Sequence, residues 1–79
     1  MQNKLNEILE LCIEKSSEEN NVFYYFKFNP TINHILIDKS DYSGNRIGFK
    51  SERDGGSRAL GFYLNDGGVD IALEYMQNE

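Results

Sequence analysis

Apolar residues recur along the first fifteen positions at the spacing of a helix. Leu5, Ile8, Leu9, Cys12 and Ile13 fall within one arc of a helical wheel, the i, i+3, i+4, i+7 signature of an amphipathic helix. Asn3 is placed to cap its start. Glu7, Glu10 and Glu14 occupy the opposite face, with Glu18 near its edge. Glu18 and Glu19 lie at the end where a helix dipole favours cations, so the helix is expected to fray near Ser16–Ser17.

The period then changes from helical to alternating. The stretch NVFYYFKF, residues 21–28, carries five aromatic rings in eight positions and reads as a strand. Asn29 and Pro30 interrupt it and INHILID resumes the β pattern, which predicts a hairpin. After the loop KSDYSGN, the segment RIGFKS alternates, with Ile47 and Phe49 on one side and Arg46, Gly48 and Lys50 on the other. ERDGGS holds an Asp-Gly turn signal, and ALGFYL follows with Leu60, Phe62 and Leu64 on one face. The last segment, residues 68–79, satisfies two patterns. Val69, Ile71, Leu73 and Tyr75 alternate as a strand would, while Val69, Ala72, Leu73 and Met76 fit a helix. Helix formers dominate it and Asp66 can cap it, so we read a helix; the strand reading would add a fifth strand.

These elements predict one α+β domain spanning residues 1–79, of order α-β-β-β-β-α. It is a two-layer arrangement with a four-stranded antiparallel sheet and both terminal helices on one face. Its covered face takes Tyr24, Phe26, Phe28, Ile35, Ile37, Ile47, Phe49, Leu60, Phe62 and Leu64. The uncovered face then receives Phe23, Tyr25, Lys27, His34, Leu36, Arg46, Gly48, Lys50, Ala59, Gly61 and Tyr63. A wet sheet face normally reads polar, whereas this one is aromatic near the hairpin and cationic near the third strand. A one-residue slip would exchange the faces, and stray surface rings need no explanation. A contiguous apolar patch instead marks an interaction surface.

Size and composition narrow the chemistry. Seventy-nine residues with one cysteine, Cys12, and one histidine, His34, leave no disulfide and no zinc cluster to support a small core. Stability is therefore expected from packing, with association as a supplement. No metal or cofactor is expected. The segment DKSDYSGN places Lys39 and Lys50 at the first and twelfth positions of a calcium loop, where carboxylates are required. RDGGS and NDGG lack the spacing and lysine of a phosphate-cradling loop. Cys12 on an apolar helix stripe and His34 on a strand do not form a nucleophile–base pair, so no enzyme is expected. No bilayer-length apolar run or export signal is read, which with a lone cysteine suggests the cytoplasm. The Asn, Ile, Lys and Glu bias, with Ala59 and Ala72 the only alanines, points to an AT-rich bacterial or phage genome.

Charge divides the chain into acidic ends and a mildly basic middle. Five glutamates oppose two lysines before residue 22, and four acids stand without a basic residue from position 59 onward, within a net charge of −5. The expected function is that of a small acidic, non-catalytic protein-binding module, homodimeric through the open sheet face, with Phe23, Tyr25, His34, Leu36 and Tyr63 as contacts. The Glu7, Glu10, Glu14 and Glu18 ridge is a second surface, suited to docking on a basic protein as an inhibitor or modulator of the phage or mobile-element kind. The alternative is single-stranded nucleic-acid binding on the same face, with rings stacking bases and Lys27, Arg46, Lys50 and Arg58 holding phosphates. Net acidity opposes that alternative.

Overall fold

The two alternating stretches at the front of the chain pair with each other. In the computed structural model, which describes residues 2–50, 53 and 55–79, β1 (Phe23–Asn29) and β2 (His34–Ser40) form an antiparallel hairpin. Its register sets Tyr24 opposite Lys39, Phe26 opposite Ile37 and Phe28 opposite Ile35. Because side chains alternate across a strand, these residues share one face, and Phe23, Tyr25 and Lys27 share the other with Ser40, Asp38 and Leu36. β5 (Leu60–Tyr63) pairs with the other edge of β2, setting Ile35 opposite Phe62 and His34 opposite Tyr63.

The sheet has three strands in the order β1-β2-β5, and β3 (Phe49–Lys50) and β4 (Ser57–Arg58) form a separate two-stranded sheet. This corrects the four-stranded expectation, and the cause lies around Gly48. Arg46 bridges Ser40, so the chain returns along the β2 edge that β5 uses farther on. The Ile47 and Gly48 N–H groups then both donate to the Lys39 carbonyl at 2.9 Å, the convergence of two residues on one that marks a bulge. Gly48 takes φ 71°, a left-handed conformation a side chain would strain, and the Ser57 hydroxyl closes on the Ile47 carbonyl. Alternation fails there: Phe49 is buried, but Ile47, expected in the core, is 41% exposed. Residues 46–48 and β5 thus share one sheet position, with the β3–β4 hairpin as a detour between them. The Asp-Gly turn expected at 54–55 falls partly outside the described residues.

α1 (Gln2–Lys15) and α2 (Gly68–Asn78) pack against each other, α1 against β1 and α2 against β5. Both cover the same face, since Ile8, Cys12, Ala72 and Met76 bury with Ile35 and Ile37 in one cluster. The final segment is therefore helix. Its N-cap is Gly67 rather than Asp66, and a 3-10 turn over Asn65–Gly67 precedes it. α1 ends at Lys15, where Ser16 Oγ donates to the Cys12 carbonyl at 2.7 Å and accepts the Tyr24 N–H at 2.8 Å. That hydroxyl passes the chain from the helix to the start of β1. α1 already includes Asn3, so Asn3 lies inside the helix rather than at its cap.

The layers differ in width. Three strands about 4.8 Å apart make a layer roughly 14 Å wide, whereas two packed helices, each about 10 Å wide, span nearer 20 Å. The helix layer must overhang. Leu9 and Ile13, on the arc expected to be buried, accordingly remain 46% and 67% exposed beyond the edge of β1. Among the described residues, no helix is long and apolar enough to cross a membrane.

Candidate interaction surface

The uncovered face of the sheet carries rings at both ends. At one end Phe23 stacks on Tyr25 with centroids 5.9 Å apart, and Tyr42 meets Phe23 edge-on at 5.8 Å. Tyr42 comes from the loop after β2, held by its N–H donating to Asn21 Oδ1 at 2.9 Å. At the other end His34 and Tyr63, opposite each other in register, make an edge contact at 4.8 Å. Gly61 lies beside His34, and a Cβ there would come within 2.7 Å of His34 Nε2. Lys27 and the half-exposed Leu36 fill the space between. Phe23, Tyr25, His34, Leu36 and Tyr63 thus lie on one face, where the alternation placed them.

One charged pair is set into this face. Asp38, only 6% exposed, accepts the Arg46 Nε–H at 2.7 Å and the Lys39 N–H at 2.9 Å. Tyr25 stands opposite Asp38 in register. Burial, and then the neighbouring carboxylate, raise the Tyr25 phenol above its ordinary value, so it is a neutral ring at physiological pH.

The four proposed anion contacts do not form one cluster beside the rings. Lys27 is exposed on the uncovered face, but Arg46 is tied to Asp38. Lys50 and Arg58 belong to the β3–β4 sheet and, with Arg53, line a shallow depression against Leu60 and Tyr75 of α2. That depression is on the helix side, which corrects the expectation that Lys50 shares a face with Phe23 and Tyr25. Glu7, Glu10 and Glu14 are exposed on α1, and Glu18 is exposed in the turn that follows.

Cys12 is buried at the helix–sheet contact, and desolvation pushes its thiol up to about 11. It is therefore protonated and unreactive at neutral pH. Among the described residues, no three His, Cys, Asp or Glu side chains gather as a metal site.

A second surface was not anticipated. Along the free edge of β1 runs a groove of about 420 Å³ lined by Leu9, Cys12, Ile13, Ser16, Phe23, Tyr24, Tyr25, Phe26 and Tyr42. None of the nine is charged, in a chain where 27% of residues are. Strand order decides this feature, and local patterning does not encode order. The available signal was the apolar arc of α1, wider at five residues than a helix on a narrow sheet can bury. Comparison with family models, curated proteins and solved structures finds no match to this chain.

Proposed function

We propose that the chain is a small acidic, non-catalytic protein-binding module whose contact surface is the uncovered face of its sheet. The observation that carries this reading is the pairing of exposed rings at both ends of that face with Leu36 between them. Large rings and an aliphatic anchor are the side chains that contribute most to protein interfaces. The acidic ridge of α1, on the other layer, favours a partner with basic surface and speeds encounter with it. Such a module acts as an inhibitor or modulator by occupying its partner.

Support for a protein rather than a nucleic-acid partner comes from the four proposed cations, of which Lys27 alone is neither tied to Asp38 nor set on the helix side. Base stacking needs phosphate-holding cations alongside the aromatic platform. Here Arg46 is already paired, and Lys50 and Arg58 face elsewhere.

The test is capture of partners from lysate of the native host by wild type and by two variants. The combination Leu36→Glu with Tyr63→Lys is expected to abolish capture, while Glu10→Lys with Glu14→Lys weakens it in a salt-dependent way. A captured protein retained equally by both variants would show that neither surface binds it. Salt-sensitive binding of a labelled oligonucleotide, lost in Lys27→Glu, would transfer the face to the alternative class.

A further inference from the structure

We propose that the chain forms a homodimer by pairing β1 with β1 of a second copy, making one continuous six-stranded sheet. The sequence alone placed self-association on the uncovered face; the edge of β1 fits it better, and this inference does not depend on what the face binds.

Hydrogen bonding sets the first condition. In an antiparallel ladder, alternate residues direct both backbone groups to the same side. Val22 N–H donates to Ser17 and Tyr24 N–H to Ser16 Oγ, away from β2, so Phe26 and Phe28 also direct their N–H and C=O groups to the free edge. A long unpaired edge is a template for another strand. β5, at four residues, is a short edge, whereas β1 has seven.

The apolar overhang sets the second. Leu9 and Ile13 project past β1 because the sheet is one strand too narrow for its two helices, and an added strand and helix would cover them. Large side chains bury roughly 150–250 Å² each. On that scale Leu9, Ile13, Phe23 and the exposed parts of Tyr24, Tyr25 and Phe26 offer on the order of 400 Å² per copy. Backbone and flanking polar atoms add to this, toward the roughly 800 Å² per partner of a standard interface.

Charge selects the occupant. The groove is uncharged, so it offers a basic peptide no advantage, and a second copy brings no like charges into it. Wheel positions place Glu7, Glu10 and Glu14 beyond Leu9 and Ile13, away from the strand edge. A two-fold axis at Phe26 lets the two Phe26 residues exchange N–H···O bonds and lets Phe28 N–H donate to the Tyr24 carbonyl of the other copy. Tyr24 N–H, already held by Ser16, falls at the end of this ladder. Lys27 then faces Tyr25 of the second copy. An axis at Lys27 would set two ammonium groups directly opposite, which is unfavourable.

Sedimentation analysis at micromolar to submillimolar concentration is expected to show a monomer–dimer equilibrium. Ile13→Lys should raise its dissociation constant at least about tenfold, because two apolar contacts are lost per dimer. Ile13 is exposed, so circular dichroism should report an unchanged fold. Amide exchange at Phe26 and Phe28 should slow as concentration rises. An equimolar mixture of Tyr25→Cys and Lys27→Cys chains, oxidised in air, should form the mixed disulfide ahead of either homodimer. A chain that stays monomeric overturns the proposal, as does a dimer unaffected by Ile13→Lys but dissociated by Leu36→Glu. The first outcome leaves the partner-binding role of the face standing, and the second moves self-association onto it.

Discussion

Arg46 Nε–H donates to Asp38 Oδ2 at 2.7 Å across the outer face of the sheet, and Asp38 is the one buried charged residue among those described. The pair joins the end of β2 to the returning chain before the β3–β4 detour. Breaking an ion pair from one side leaves a buried carboxylate without its counter-ion; here it keeps the backbone hydrogen bond from the Lys39 N–H. The half-exposed guanidinium moderates the cost.

Arg46→Met is therefore expected to lower stability by about 1–2 kcal/mol, measured as a shift in the urea midpoint. Adding Asp38→Leu should recover part of the loss, giving a non-additive double-mutant cycle. Strict additivity would mean that the two groups do not interact in solution.

Glycine substitutions should separate by the rigidity of what a Cβ would meet. At Gly68 a Cβ collides with the Tyr63 backbone carbonyl, and at Gly48 it meets Ser57 Oγ in a left-handed conformation. At Gly61 it meets only side-chain atoms, nearest the end of the His34 ring, which can shift where a backbone carbonyl cannot. Gly68→Ala and Gly48→Ala are expected to cost about 2 kcal/mol or more, and Gly61→Ala under about 1 kcal/mol. Thermal melts of the three variants check the order.

Cys12 makes the alkaline limb of stability predictable. Burial raises its thiol from 9.0 to about 11 in the folded chain, so the folded state holds that proton more tightly than the unfolded state. The stabilisation is complete below pH 9 and is lost as the pH climbs through about 11; the sign follows from proton linkage. Urea midpoints compared between pH 8 and pH 11 should fall further for wild type than for Cys12→Ala. A disulfide reagent at pH 8 should label Cys12 only as fast as the protein opens, and immediate labelling would contradict its burial.

Lys39 ties the end of α2 to the sheet. Its Nζ lies 3.0 Å from Glu79 Oε1 and between the rings of Tyr24 and Phe49, at 5.3 and 4.9 Å from their centroids. Lys39→Met retains the stem and removes the charge. The expected loss is about 1 kcal/mol, with faster amide exchange in the last turn of α2. Unchanged exchange there would mean that the contact does not restrain the helix.

The parts of this fold legible in the sequence follow a strict local period. Tyr24 and Phe26 turn inward and Phe23, Tyr25 and Lys27 outward because alternation holds along β1. Phe28, expected in the core with Tyr24 and Phe26, instead remains 40% exposed near the end of the strand. At Gly48 one left-handed residue and a bulge spoil the count, so Ile47 and Lys50 were misplaced although Phe49 was not. Leu9 and Ile13 were read as buried because helical periodicity reports which residues share a stripe, not how wide a surface the stripe meets. The candidate surfaces divide in the same way. The aromatic face is a matter of alternation, whereas the groove depends on β1 being an edge, and the Arg46–Asp38 pair depends on how the chain returns after Ser40.

The detour between residues 46–48 and β5 also determines where this chain tolerates changes of length. Residues inserted between Lys50 and Ser57 extend a ribbon that stands outside the main ladder, so Phe49 stays seated and the pairing of Ile35 with Phe62 is untouched. A single residue inserted within β2 shifts its pairing on both sides at once and turns the residues beyond it toward the opposite layer. New peptide segments are therefore best grafted between Lys50 and Ser57, while the central strand requires fixed spacing.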